Sequence, residues 1–91
     1  MYNVTATKKF EKSLKKCIKR GLDARKINTV LKELSEKGFL PPAYRPNKLS
    51  GKYQGNWECH IQPDWLLVWE QRDEELILLL IDTGTHSDIF G

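Results

Sequence analysis

The sequence predicts an α+β domain: an antiparallel-rich sheet of about four strands with an N-terminal helical hairpin on one face, in the order β-α-α-β-β-β. Three observations predict it. Two apolar stripes with helical spacing fill residues 8–37. Two alternating arms, Trp57–Gln62 and Trp65–Trp69, meet at Pro63-Asp64. A near-continuous apolar run covers Glu75 to Asp82. Ninety-one residues are enough for one small core, so residues 1–91 are read as a single domain.

Tyr2 to Ala6 alternates weakly and holds β-formers, which suits a first strand. Thr7 is placed to cap the following helix, because its hydroxyl accepts an N–H left unpaired in the first turn. Phe10, Leu14, Cys17 and Ile18 stand at i, i+4, i+7 and i+8, one helical stripe that ends at Gly21. Asp23 caps a second helix whose stripe is Ile27, Val30, Leu31 and Leu34, and Gly38 ends it. The short connection between them predicts an antiparallel hairpin. Prolines at 41, 42 and 46 predict an extended surface connection with no regular structure, and the glycine-punctuated segment from Leu49 to Asn56 has room for a short strand.

With a two-residue loop at Pro63-Asp64, the hairpin sorts into two faces. Trp57, Cys59, Ile61, Leu66 and Val68 form the apolar face expected in the core. Glu58, His60, Gln62, Trp65, Leu67 and Trp69 form a mixed face. Arg72-Asp73-Glu74 is a polar turn. The apolar strand after it is expected at a central position, broken by Thr83-Gly84-Thr85 and followed by a short tail.

The net charge of +3 hides an asymmetry. Residues 1–37 hold eleven Lys/Arg against four Asp/Glu, and residues 38–91 hold four against eight. The basic half is either a solvated helix pair or a surface that meets nucleic acid or an acidic protein. Cys17 and Cys59 lack metal-ligand spacing and fall on expected core faces, which suits reduced, buried thiols. The absence of a signal-like apolar run at the start, and a longest apolar run of Leu76 to Ile81, point to a cytoplasmic protein rather than a membrane one. Three groups suit proton transfer near neutral pH: His60, His86 and, with a raised pKa, Asp64. The residues alone support an acid–base site on a mixed sheet face.

Two stretches resemble a known family. Glu58-Cys59-His60-Ile61-Gln62-Pro63-Asp64-Trp65-Leu66-Leu67-Val68 is similar to the "H-x-x-P-D-W-hydrophobic" hairpin of RelE/YafQ-type toxins in bacterial type II toxin–antitoxin systems, within the RelE/ParE superfamily. Thr83-Gly84-Thr85-His86-Ser87-Asp88-Ile89-Phe90-Gly91 is similar to the "T-G-T-H-x-x-L-F-G" ending, and Leu49-Ser50-Gly51 to the "P-L-x-G" element. The resemblance covers nearly the whole chain. It implies a ribosome-dependent endoribonuclease that cuts mRNA in the ribosomal A site without a metal or cofactor, contacts ribosomal RNA, and is inhibited by a cognate antitoxin with an acidic or partly disordered segment. Carried over, His60, Asp64 and His86 are the acid–base group, and Phe90 orients RNA or closes the site. Trp65 is the expected stacking aromatic. Two positions depart from the family pattern. Asn47-Lys48 stands where a histidine is usual, and Asp82 where an arginine is usual. The resemblance therefore implies that Arg45, Lys48 or Lys52 supplies the missing positive charge, or that the activity is weakened. The alternative is a catalytically impaired RelE-fold module that binds RNA or antitoxin without cutting.

Overall fold

The computed structural model describes all 91 residues. Strand β1 (Asn3–Ala6) leads into helices α1 (Lys8–Lys19) and α2 (Ala24–Lys37), followed by β2 (Asn47–Lys48), β3 (Trp57–Gln62), β4 (Trp65–Arg72), β5 (Ile77–Gly84) and α3 (His86–Phe90). The sheet has five strands in the order β1-β5-β4-β3-β2. β1 runs parallel to β5, and every other pair is antiparallel. The fold class is the α+β arrangement expected, with one more strand.

The helix boundaries follow local chemistry. The Thr7 hydroxyl accepts the N–H of Phe10, and Asp23 accepts that of Arg25, each satisfying an amide that the helix leaves unpaired. Gly38 closes α2 in the left-handed conformation, φ 75°. A Cβ there would also come within 2.7 Å of the Tyr2 ring, so glycine is needed twice over.

Three expectations need correction. The proline segment is not devoid of regular structure, because a 3-10 turn at Pro42–Tyr44 and β2 both fall within it. Proline's fixed φ suits the first position of such a turn. The segment after it forms a 3-10 turn at Gly51–Tyr53 rather than a strand. The tail is helical: α3 opens with a capping box, in which the Thr85 side chain accepts from the Asp88 amide and the Asp88 side chain accepts from the Thr85 amide.

The hairpin loop has the expected two residues, and Gln62 pairs with Trp65. A bulge at Ile61 then shifts the register, so His60 pairs with Leu66 and Cys59 with Leu67. One extra residue in β3 exchanges the two faces of β4. Trp65, Leu67 and Trp69 therefore join Cys59 on the helix-facing side, with Phe10, Cys17, Ile27, Val30, Leu34, Leu78 and Leu80. Leu66 and Val68 lie on the other side, where Tyr53 and Ile89 cover them. Ile18, placed in the α1 stripe, is 44% exposed among lysines. Strand β5 is central, between β1 and β4. Its second side is only partly covered, because α3 has just five residues. No helix is long and apolar enough to cross a membrane.

Candidate active site

The sheet side opposite α1 and α2 is the one that carries the histidines. His60 projects from β3 beside Leu66, and His86 opens α3. Their ring centroids lie 5.6 Å apart. His60 Nδ1 lies 3.2 Å from the carbonyl oxygen of Pro63. A carbonyl only accepts, so Nδ1 carries the proton and donates it, which leaves Nε2 with its lone pair. His86 Nδ1 donates to Asp64 Oδ1 at 2.8 Å, and the same oxygen accepts the His86 backbone N–H at 3.0 Å. That backbone donor, and then the ring, hold the Asp64 carboxyl below the usual carboxylate range. The Asp64 carboxyl is thus lowered, not raised as the sequence left open, and it is bonded twice to His86. Neither Nε2 has a hydrogen-bond partner within the protein; the His60 side chain is half-buried and that of His86 exposed.

Helix α3 is what brings His86 into place. Gly84 lets the chain turn back tightly, since a Cβ there would meet the Asp88 side chain at 2.8 Å. Arg20, at the end of α1, donates to both Asp88 oxygens, at 2.6 and 3.2 Å. This bidentate pair is the chief cause that holds the Asp88 carboxyl well below its ordinary range. Phe90, 49% exposed, packs edge-on against Tyr53 at 5.9 Å and lies 6.4 Å from the His86 ring.

The remaining expected residues divide. Trp65 is 1% exposed and donates its indole N–H to the Thr83 hydroxyl, so it is a core residue and cannot stack on RNA. The β3 bulge is the reason. Arg45 lines a cleft of about 240 Å³ together with His60, Gln62 and Pro63. It adopts φ 49°, a conformation uncommon outside glycine. Lys52 reaches over the Tyr53 ring at 5.5 Å, on the histidine side. Lys48 does not belong to this group. It pairs with Trp57 and lies over its ring at 5.7 Å, on the opposite side of the sheet. Asn47 is on the histidine side, paired with Glu58. Glu58 was given no role from sequence, yet one of its carboxylate oxygens is buried without a partner, one row along the sheet from His60. Alternation with His60 was the signal available for it.

Asp82 is 4% exposed. One oxygen accepts the Thr83 N–H at 2.9 Å, and the other lies 3.5 Å from Lys9 Nζ. Its carboxylate is nearly buried, at the edge of a cleft that Lys9 also lines. No three His, Cys, Asp or Glu side chains converge as a set that would hold a metal ion.

This geometry has counterparts. A family model described as the bacterial toxin of a type II toxin–antitoxin system, YafQ, matches residues 2–91. The chain belongs to the YafQ family. It is 31% identical over 83 residues to the mRNA interferase toxin YafQ of Escherichia coli K12, covering 90% of this chain and 88% of that one. The crystal structure of YafQ from E. coli BL21(DE3) superposes with a TM-score of 0.91 at 27% identity, covering both chains fully. The YafQ chain of the E. coli DinJ–YafQ complex gives 0.89 at 28% identity, also over the full length of both. The five-stranded frame, and with it the side-chain cluster around His60 and His86, is therefore built on a YafQ toxin fold.

Proposed function

We propose that this YafQ-family toxin is a ribosome-dependent endoribonuclease that cuts mRNA by metal-independent acid–base catalysis and is silenced by a cognate antitoxin. The observation that carries the reading is the histidine pair: two rings 5.6 Å apart, each anchored through Nδ1, each with Nε2 free. One Nε2 takes the proton from a ribose 2′-hydroxyl, which attacks the adjacent phosphorus. The other ring, as an imidazolium that keeps its Nδ1 hydrogen bond, delivers its Nε2 proton to the departing 5′-oxygen. Hydrogen bonds of about 2.6–3.2 Å on two sides of one phosphate fit that separation. The products are a 2′,3′-cyclic phosphate and a 5′-hydroxyl. Asp64 keeps the His86 ring aimed, and Phe90, at the open rim, takes the stacking role that buried Trp65 cannot. Arg45 and Lys52 offset charge on the RNA backbone.

The name of the E. coli relative supports the reaction class, and the DinJ–YafQ complex supports an antitoxin partner. The basic face of α1 suits both an acidic antitoxin segment and ribosomal RNA, where phosphate contacts dominate affinity. Its place of action is the cytoplasm, where translating ribosomes present mRNA.

The test is to incubate the purified toxin with programmed ribosomes in EDTA and analyse the RNA ends. Discrete cleavage with cyclic phosphate and 5′-hydroxyl ends is expected. His60→Ala and His86→Ala should each lower the rate by about 10²–10⁴-fold. The position of Asp82 favours one second reading, a binding module of the same fold. That reading expects no cleavage and normal ribosome binding in both variants.

A further inference from the structure

Eleven Lys/Arg residues precede residue 38, and Lys9 has a distinctive setting among them. Its ammonium donates to the Tyr53 hydroxyl at 3.3 Å, sits 5.7 Å from the centre of that ring, and lies 3.5 Å from Asp82 Oδ2. Tyr53 belongs to the histidine side of the sheet: its ring meets Phe90, which meets His86, which meets His60. The ring also lies beneath Lys52 Nζ, at 5.5 Å. The first turn of α1 passes the edge of β5 beyond the end of β1, and that is how a helix residue reaches this side. The lysine is fixed by two partners, yet its side chain remains 56% exposed. An ammonium has three donors, so one stays available. A cleft of about 250 Å³ opens beside it, lined by Ser13, Lys16, Asp82, Thr83 and Asp88.

We propose that Lys9, held by Asp82 and Tyr53, binds a backbone phosphate of the RNA strand that is cleaved at the histidine pair. The inference rests on the ribonuclease reading. It gives Asp82 a role that a carboxylate facing the substrate could not have. The buried acid orients a cation instead of opposing the phosphate, and Lys52 on the same tyrosine leaves this patch with net positive charge. The hydrogen bond that Lys9 donates to Tyr53 is the chief cause that raises its amine above the ordinary value, so it stays charged at any working pH.

The competing role for Lys9 is structural, as a counter-ion for buried Asp82. Four variants of the full chain separate the two: Lys9→Gln, Asp82→Asn, Lys9→Gln/Asp82→Asn, and Lys8→Gln as a control for general charge loss. Asn at 82 still accepts the Thr83 N–H and needs no counter-ion. Two measurements are made on each. One is kcat/KM on programmed ribosomes. The other is the salt dependence of binding to a 2′-O-methyl oligonucleotide that cannot be cut. If Lys9 holds phosphate, Lys9→Gln lowers kcat/KM about ten- to a hundredfold, and the double variant stays equally low. The slope of log K against log salt falls by about 0.7 in both. Lys8→Gln changes little. If Asp82→Asn restores activity to Lys9→Gln, or if Lys9→Gln matches Lys8→Gln, the proposal is overturned while cleavage by the parent chain still stands. If the parent chain itself neither cuts nor binds RNA, the ribonuclease reading fails and takes this inference with it.

Discussion

Trp65 and Phe90 are both aromatic, but they should respond to substitution in opposite ways. Trp65 is 1% exposed and bonded to Thr83, so Trp65→Ala opens a cavity and leaves a buried hydroxyl short of a partner. It should cost about 3–5 kcal/mol in urea melts. Phe90→Ala removes a half-exposed ring and should cost well under half of that in the same melts, while RNA cleavage drops at least tenfold. Cys59 gives a separate check on the core. Burial, more than the neighbouring Glu58 charge, pushes its thiol up to about 12. Alkylation of Cys59 should therefore proceed only at the rate of unfolding, as read by mass spectrometry. At this scale the local signals were legible. Thr7, Asp23 and Gly38 each act within a few residues of themselves, and the sequence placed all three. His60 and His86 could be named from their chemistry, and the hairpin sorting put Glu58 and His60 on one side. Trp65 could not be placed, because one bulged residue at Ile61 reverses the side of β4 it occupies. Ile18 fits the α1 stripe by spacing, but the stripe is wider than the surface it packs on, and lysines surround the excess.

Helix α3 is the element on which the candidate site depends. Five residues cannot hold a helix alone, so its position rests on Gly84, the capping box and the Arg20–Asp88 pair. Gly84→Ala should push Asp88 aside, with activity falling more steeply than melting temperature. The pH dependence of α3 follows from the depressed carboxyls that touch it, Asp64 and Asp88. Their folded values lie below those of the unfolded chain, so the stabilisation is complete above the ordinary carboxylate range and is lost as pH falls through the folded values. Protection of the Ile89 and Phe90 amides, taken relative to the intrinsic exchange rate, should fall on acidification below about pH 4, before that of the core amides Val30 and Leu34. Uniform loss of protection across the chain would contradict this. The tail could not be read as helix, because so short a segment has no apolar periodicity to mark it. The same limit applies to β2, whose two residues form a strand only because β3 pairs with them.

For the molecule as a whole, the order of elements was readable because each helix and long strand carries its own period. The parallel pairing of β1 with β5 was not, since it joins residues more than seventy positions apart and depends on how α1 and α2 pack. The charge division was visible in composition, and the fold places most of the basic half on the helix surfaces, with Lys9, Lys16 and Arg20 reaching β5 and α3. Reversing Lys12 and Lys15 to Glu should weaken ribosome cosedimentation, most evidently at low salt, and leave the rate of cutting bound mRNA within a fewfold. The central claim is that His60 and His86 cut RNA. The most direct test is mRNA 5′-end mapping after induced expression of the parent chain and of His86→Ala. Growth arrest with discrete in-frame cuts, both lost in the variant while its melting curve is kept, is the expected result. Arrest without cuts, or arrest that survives the substitution, would contradict it.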